Sequence, residues 1–124
     1  MQNTPSSINQ GGALAWDGGN YLFAFRGNNT TTFYRYDIGA NAWAAMAPAN
    51  VNWGGALRSD AAGTFIYATR GNTSGDWWRY DTGAGVWQLL TAAPALIRDG
   101  GAVTRIGGTF HVLRGDGTPD FWKF

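Results

Sequence analysis

The sequence predicts an all-β fold of short antiparallel strands, on the strength of its composition, a tandem repeat and the spacing of that repeat. Its 124 residues include 19 Gly, 7 Trp, 5 Tyr and 7 Phe, the vocabulary of short strands joined by tight turns. All eight acidic residues are Asp, and the basic set is eight Arg plus Lys123. Asp serves turns, whereas Glu and Lys furnish exposed helix faces, so essentially no helix is expected. The stretch Arg70–Trp87, RGNTSGDWWRYDTGAGVW, repeats Arg26–Trp43, RGNNTTTFYRYDIGANAW, and a third copy, RGDGTPDFWKF, runs from Arg114 to Phe124. Gly-Gly-Ala starts at Gly11, Gly54 and Gly100 are spaced by 43 and then 46 residues, a period of propeller-blade size. The fold class expected is therefore all-β, a β-propeller portion of four-stranded antiparallel blades with about 2.75 blade units per chain.

Each unit reads as four strands. The first, over 12–16, 55–59 and 101–105, is rich in Gly and Ala, as a strand crowded beside a central axis must be, and is expected innermost. The second, over 21–25, 65–69 and 109–113, is the most continuously apolar, which suits a strand buried on both faces. The third, over 33–36, 77–80 and 121–124, is an aromatic cluster carrying Arg35, Arg79 or Lys123. The fourth, over 43–46 and 87–90, is expected outermost. Asp17-Gly18-Gly19 and Ile106-Gly107-Gly108 make the first hairpin turns, and IGANA and TGAGV the last ones, where Gly and Asn supply positive φ. These spans divide a single repeat domain, 1–124, into units 11–53, 54–99 and 100–124. The last lacks its outer strand, and 1–10 reads as the tail of a preceding unit.

Tyr36-Asp37 and Tyr80-Asp81 are each followed, after five residues, by Trp43 and Trp87. In this the chain resembles the kelch repeat family. The family also carries a Gly pair closing the second strand, and here Arg26-Gly27, Arg70-Gly71 and Arg114-Gly115 stand in its place, keeping only the second Gly. The resemblance implies four-stranded blades around an axis and a binding role rather than one chemistry.

Charge and residue inventory narrow the function. A formal net charge of +1 gives no sequence-wide attraction to nucleic acid or membranes, and no apolar run approaches the roughly 18 residues of a spanning helix. The chain has no Cys, so there is no disulfide framework, no thiolate metal site and no clue to compartment. MQNTPSSINQ has neither the basic nor the apolar region of a signal peptide. His111, the sole His, occupies the strand position of Phe23 and Tyr67, a packed place. With one His and no Glu, no acid, base and nucleophile can be assembled, so no enzyme, cofactor or metal is expected.

Arg26, Arg70 and Arg114 recur once per unit. A ring of guanidinium groups would suit carboxylate, phosphate or sulfate, but strict repetition favours structural pairing with loop carbonyls or an Asp of the adjacent blade. Arg114-Gly115-Asp116 spells an integrin-binding tripeptide, yet its counterparts are Arg-Gly-Asn, so its repeat position explains it. The acceptor triplets at Asn28, Asn29 and Asn72 read as turn residues. Most Trp fall on repeat positions, whereas Trp53 lies in the inter-unit segment opposite Gln10 and Asp99. Strand alternation brings the inter-unit segments and the loops after each second strand to one rim, and these are the segments that vary. A fixed scaffold with varied loops is how binding surfaces are built. The expected contacts are Trp53 for stacking, Asn28, Asn72 and Asp116 for hydrogen bonds, Arg98 and Asp99 for polar contacts, with Arg26, Arg70 and Arg114 nearer the axis.

About 2.75 blades fall short of the four to eight of a closed ring and leave sheet faces bare. The expected partner is a second copy, two chains closing six blades head to tail, with residues 1–4 near the open edge of the partner's third unit. The expected function is a non-catalytic recognition module for a glycan or protein ligand. The alternative is a self-assembling structural or engineered fragment with no ligand.

Overall fold

The computed structural model describes residues 1–49, 55–60, 62–72 and 74–123. Among these there is no helix, and the strands form three antiparallel sheets. Sheet 1 runs β1 (Ala13–Trp16), β2 (Tyr21–Phe25), β3 (Phe33–Asp37) and β4 (Ala42–Ala45) in sequence order, and sheet 2 repeats this with β5 (Ala56–Ser59), β6 (Phe65–Thr69), β7 (Trp77–Asp81) and β8 (Val86–Leu89). Sheet 3 has β9 (Ala102–Ile106), β10 (Thr109–Leu113) and β11 (Phe121–Lys123). Strand β5 lies against both β1 and β9, so the Gly-Ala-rich strands are innermost and the Trp-bearing β4 and β8 outermost, the order their side-chain sizes dictate.

The Tyr-Asp motif acquires a physical meaning from the register. Tyr36 sits directly across from Trp43, and Tyr80 from Trp87, with ring centroids 4.9 and 5.0 Å apart. The Asp that follows caps the hairpin. Asp37 Oδ1 accepts from the Ala40 N–H at 2.8 Å and from Asn20 Nδ2 at 2.7 Å. Asp81 Oδ1 accepts from the Gly83 and Ala84 N–H groups at 2.9 and 2.8 Å. These bonds, the Ala40 amide first and the Asn20 side chain second, hold the Asp37 carboxyl below its ordinary 3.8.

Every sheet has two faces, and the three copies use them alike. Sheet 1 turns Phe23, Phe25 and Phe33 toward sheet 2, which answers with Leu57, Ile66, Ala68 and Tyr80, and with Trp87 at its margin. Phe33 lies 5.0 Å from Tyr80 and 4.9 Å from Trp87, both edge-on. Sheet 2 then turns Tyr67 and Trp77 toward Phe110 and Val112 of sheet 3, with Phe110 4.4 Å from Tyr67 and 5.3 Å from Trp77. The trailing face of one sheet thus packs on the leading face of the next, an arrangement in which aromatic pairs add to the burial of large apolar area.

The same rule leaves one face of each end sheet without a sheet against it. On the leading face of sheet 1, Leu14 is 60% exposed, whereas its counterpart Leu57 is 7%. On the trailing face of sheet 3, Phe121 is 61% and Leu113 51% exposed, whereas Phe33 and Phe25 at those places are both 1%. Residues 1–8 lie along the leading face of sheet 1. The Trp43 Nε1–H donates to the Gln2 carbonyl at 3.2 Å, as the Trp87 Nε1–H donates to the Ala47 carbonyl at 3.1 Å one sheet later.

The comparison of copies exposes one defect. Tyr36 Oη donates to Asn41 Oδ1 at 2.6 Å, but Tyr80 Oη is buried with no hydrogen-bond partner among the described residues. The place of Asn41 is taken by Gly85, at φ 72° and with its missing Cβ site 3.7 Å from that oxygen. Asn tolerates this left-handed conformation and holds it at Asn41, φ 52°. Gly85→Asn is expected to stabilise the fold by about 1 kcal/mol in denaturant unfolding, by satisfying a buried hydroxyl and restricting the unfolded chain. The low-lying Asp37 carboxyl makes a second expectation. Its stabilisation is present above the unfolded value near 3.8 and is lost as pH falls through the lower folded value. Melting curves between about pH 5 and 2 should therefore fall less steeply in Asp37→Asn than in the parent chain.

Candidate functional site

The loop following each second strand is set by an Arg-Gly-Asn/Asp triplet. Gly27 and Asn28 have φ of 78° and 56°, Gly71 and Asn72 of 71° and 46°, Gly115 and Asp116 of 82° and 57°. Two successive left-handed residues explain the composition, since Gly has no Cβ to clash and Asn and Asp are the side chains that best accept this region. Space adds a second constraint. A Cβ on Gly27 would run into the carbonyl oxygen of Gln10, and one on Gly115 into that of Asp99. The inter-sheet segments therefore press directly on these loops. The Asn28 N–H donates to the Gln10 carbonyl at 2.8 Å and the Asp116 N–H to the Asp99 carbonyl at 2.9 Å.

Two of the three repeated Arg are built into this contact. Arg26 Nε donates to the Ser7 carbonyl at 3.2 Å and Arg114 Nε to the Leu96 carbonyl at 3.1 Å, corresponding positions of the two segments. Arg70 and Arg114 also pair with Asp76 and Asp120 of their own loops, Nη1 to Oδ2 at 3.0 and 2.8 Å. The first copy has Thr32 at that place. Arg26 and Arg114 fasten loop to segment, and the carboxylates on Arg70 and Arg114 come from the same sheet's loop rather than a neighbour's.

Of the polar residues expected on the rim, Arg98 pairs with Asp116 at 3.0 Å, and Asn28 and Asn72 are exposed turn residues. Asp99 is brought together with Gln10 and the paired glycines Gly11, Gly12, Gly100 and Gly101 around a hollow of about 380 Å³. Residues 50–54, among them Trp53, lie outside the described residues. The hollow is where the variable segments converge beside the inner strands, and it combines an amide, a carboxylate and exposed glycine backbone. Arg26, Arg70 and Arg114 do not line it. His111 is stacked on Phe121 at 5.8 Å on the trailing face of sheet 3, away from both rims.

A second hollow, of about 300 Å³, lies at the opposite ends of the inner strands, lined by Trp16, Gly18, Arg58, Ser59, Asp60, Arg105 and Gly107. Reading the sequence for its regularities missed it. The signal was available as a departure: two Arg and a Trp in strands otherwise built of small and aliphatic residues.

No protein-family model and no curated protein matches the chain. Solved structures do match. One, described as the structure of YjhT, superposes with a TM-score of 0.76 at 19% sequence identity, over 90% of this chain and 35% of that one. At this identity the likeness is one of fold, and the chain spans about a third of the length of the structure it resembles.

Proposed function

We propose that the chain is a non-catalytic recognition module on a kelch-like β-propeller, closed by two copies of the chain, with its ligand in the hollow of Gln10 and Asp99. The observation that carries the binding reading is the contrast at that rim. Sheet faces, hairpin turns and the Gly-Gly starts that floor the hollow repeat from copy to copy, whereas the polar residues standing over those glycines, Gln10 and Asp99, share one repeat position and differ. A polar hollow of about 380 Å³, offering hydrogen-bonding groups rather than an apolar wall, suits a hydroxyl-rich ligand, which favours a glycan over a peptide.

The bare faces support the ring. The apolar groove over sheet 1, about 360 Å³ and lined by Leu14, Leu22, Ala24, Tyr36 and Trp43, is the same surface that in sheet 2 receives Phe23, Phe25 and Phe33. His111, Leu113 and Phe121 of a second copy carry the matching positions. By the repeat, the Met46 N–H bonded to the Phe33 carbonyl and the Leu90 N–H bonded to the Trp77 carbonyl correspond to Met1 meeting Phe121 of the partner subunit. Residues 1–4 would then extend the open edge of that β11, a strand addition that also protects the edge.

Light scattering at micromolar concentration should give twice the chain mass, and Leu14→Asp, which places a charge in the groove, should give a folded monomer. A parent chain that stays monomeric would contradict the ring. On the assembled protein, a glycan array should show binding that Asp99→Ala, Gln10→Ala or Trp53→Ala removes without changing the mass. An array on which nothing binds, with assembly intact, would leave a self-assembling scaffold in its place.

A further inference from the structure

The hollow at the opposite ends of the inner strands is built from residues that owe nothing to the shared packing plan. Ala15, Arg58 and Thr104 occupy one repeat position, and Trp16, Ser59 and Arg105 the next. Side chains alternate along a strand. Because Leu57 packs toward sheet 1, Arg58 is turned toward sheet 3, and because Val103 packs toward sheet 2, Arg105, two residues on, is turned toward sheet 2. Both guanidinium groups therefore stand at the open end of one inter-sheet gap, where they line the same hollow.

Three charged side chains meet at this hollow with unsatisfied groups. Arg70, Arg98 and Arg114 each hold a carboxylate, whereas the Arg58 side chain has no hydrogen-bond, ion-pair or ring partner among the described residues. Arg105 stacks over Phe110 at 5.6 Å, and its Nε is buried without a hydrogen-bond acceptor among the described residues. Asp60 Oδ1 is likewise buried without a donor, although Asp17, at the same place in sheet 1, spends its Oδ1 on the N–H groups of Gly19 and Tyr21 at 2.8 and 3.1 Å. Buried polar groups are normally satisfied, and here an acceptor, a donor and an unpaired guanidinium line one hollow. Trp16 is 58% exposed, with its Nε1–H donating to the Gly19 carbonyl at 2.9 Å. That bond pins the indole edge and leaves ring surface free.

We infer that this hollow binds a small organic carboxylate carried on a flat ring. Arg58 and Arg105 face the carboxylate, a guanidinium fork being suited to its two oxygens. Trp16 stacks on the ring, and Asp60 accepts a hydrogen bond from a ligand hydroxyl. One carboxylate against two guanidinium groups leaves the hollow net positive, so an anion is favoured over a neutral ring.

The test is isothermal titration of the assembled protein with 4-hydroxybenzoate, inorganic phosphate and 4-hydroxybenzyl alcohol. The expected result is binding of 4-hydroxybenzoate that weakens roughly tenfold or more in Arg58→Ala and in Trp16→Ala, with little binding of the alcohol and weaker binding of phosphate. Arg58 has no partner to lose, so Arg58→Ala should keep the parent melting temperature. If Trp16→Ala unfolds, Trp16→Phe, which keeps a ring face, should retain 4-hydroxybenzoate binding. No heat with 4-hydroxybenzoate, or binding unchanged in Arg58→Ala, would overturn the site. Phosphate binding as tightly, with Trp16→Phe and Trp16→Ala both without effect, would overturn the ring-bearing class. No residue of the glycine-lined rim takes part, so either outcome leaves the reading of that rim untouched.

Discussion

Everything in this molecule depends on the packing of one sheet's trailing aromatic face against the next sheet's Tyr–Trp face. Phe25 and Phe33 of sheet 1 meet Tyr80 and Trp87 of sheet 2 at centroid distances between 4.9 and 5.8 Å. Burying one such side chain contributes about 2–3 kcal/mol, whereas an exposed ion pair contributes about 0–1. The three Arg–Asp pairs, each at least a quarter exposed on one partner or the other, therefore shape loops rather than hold the fold. A four-stranded sheet with two apolar faces is unstable alone, and stacking is the condition under which these strands exist at all.

That constraint also creates the sites. Stacking the sheets brings β1, β5 and β9 side by side, and small residues along them permit the approach. The strand ends then converge at two rims. At one, inter-sheet segments press on Arg-Gly-Asn/Asp loops and enclose Gln10 and Asp99. At the other, short hairpin turns leave Trp16, Arg58, Asp60 and Arg105 around a shared hollow. The scaffold repeats, while Gln10, Asp99, Trp16, Arg58 and Arg105 at the rims depart from the repeat where the core does not constrain them.

The strands and their order were legible because they rest on local periodicity and on a repeat that states each element two or three times. The second strands match the expected spans, 21–25, 65–69 and 109–113, residue for residue. Edges were less legible: β3 and β7 run on to Asp37 and Asp81, because the capping Asp still pairs across the sheet. Repetition also pointed to a structural role for the three Arg, but not to the carbonyls that Arg26 and Arg114 bond about 18 residues away in the segment leading into their units. The Arg58–Arg105 hollow was not read at all. It joins residues 47 positions apart that look like noise when the copies are averaged, since only the stacking of sheet 2 on sheet 3 makes them neighbours.

The central claim is that the exposed faces of sheets 1 and 3 are the two halves of an interface already seen twice inside the chain. Amide hydrogen exchange at increasing protein concentration tests it most directly. Strands β6 and β7, covered on both faces, should be strongly protected at every concentration. Residues 1–4 and strands β10 and β11 should gain protection as concentration rises, until β10 approaches β6. Rapid exchange of β11 and residues 1–4 at every concentration, with β6 still protected, would contradict it.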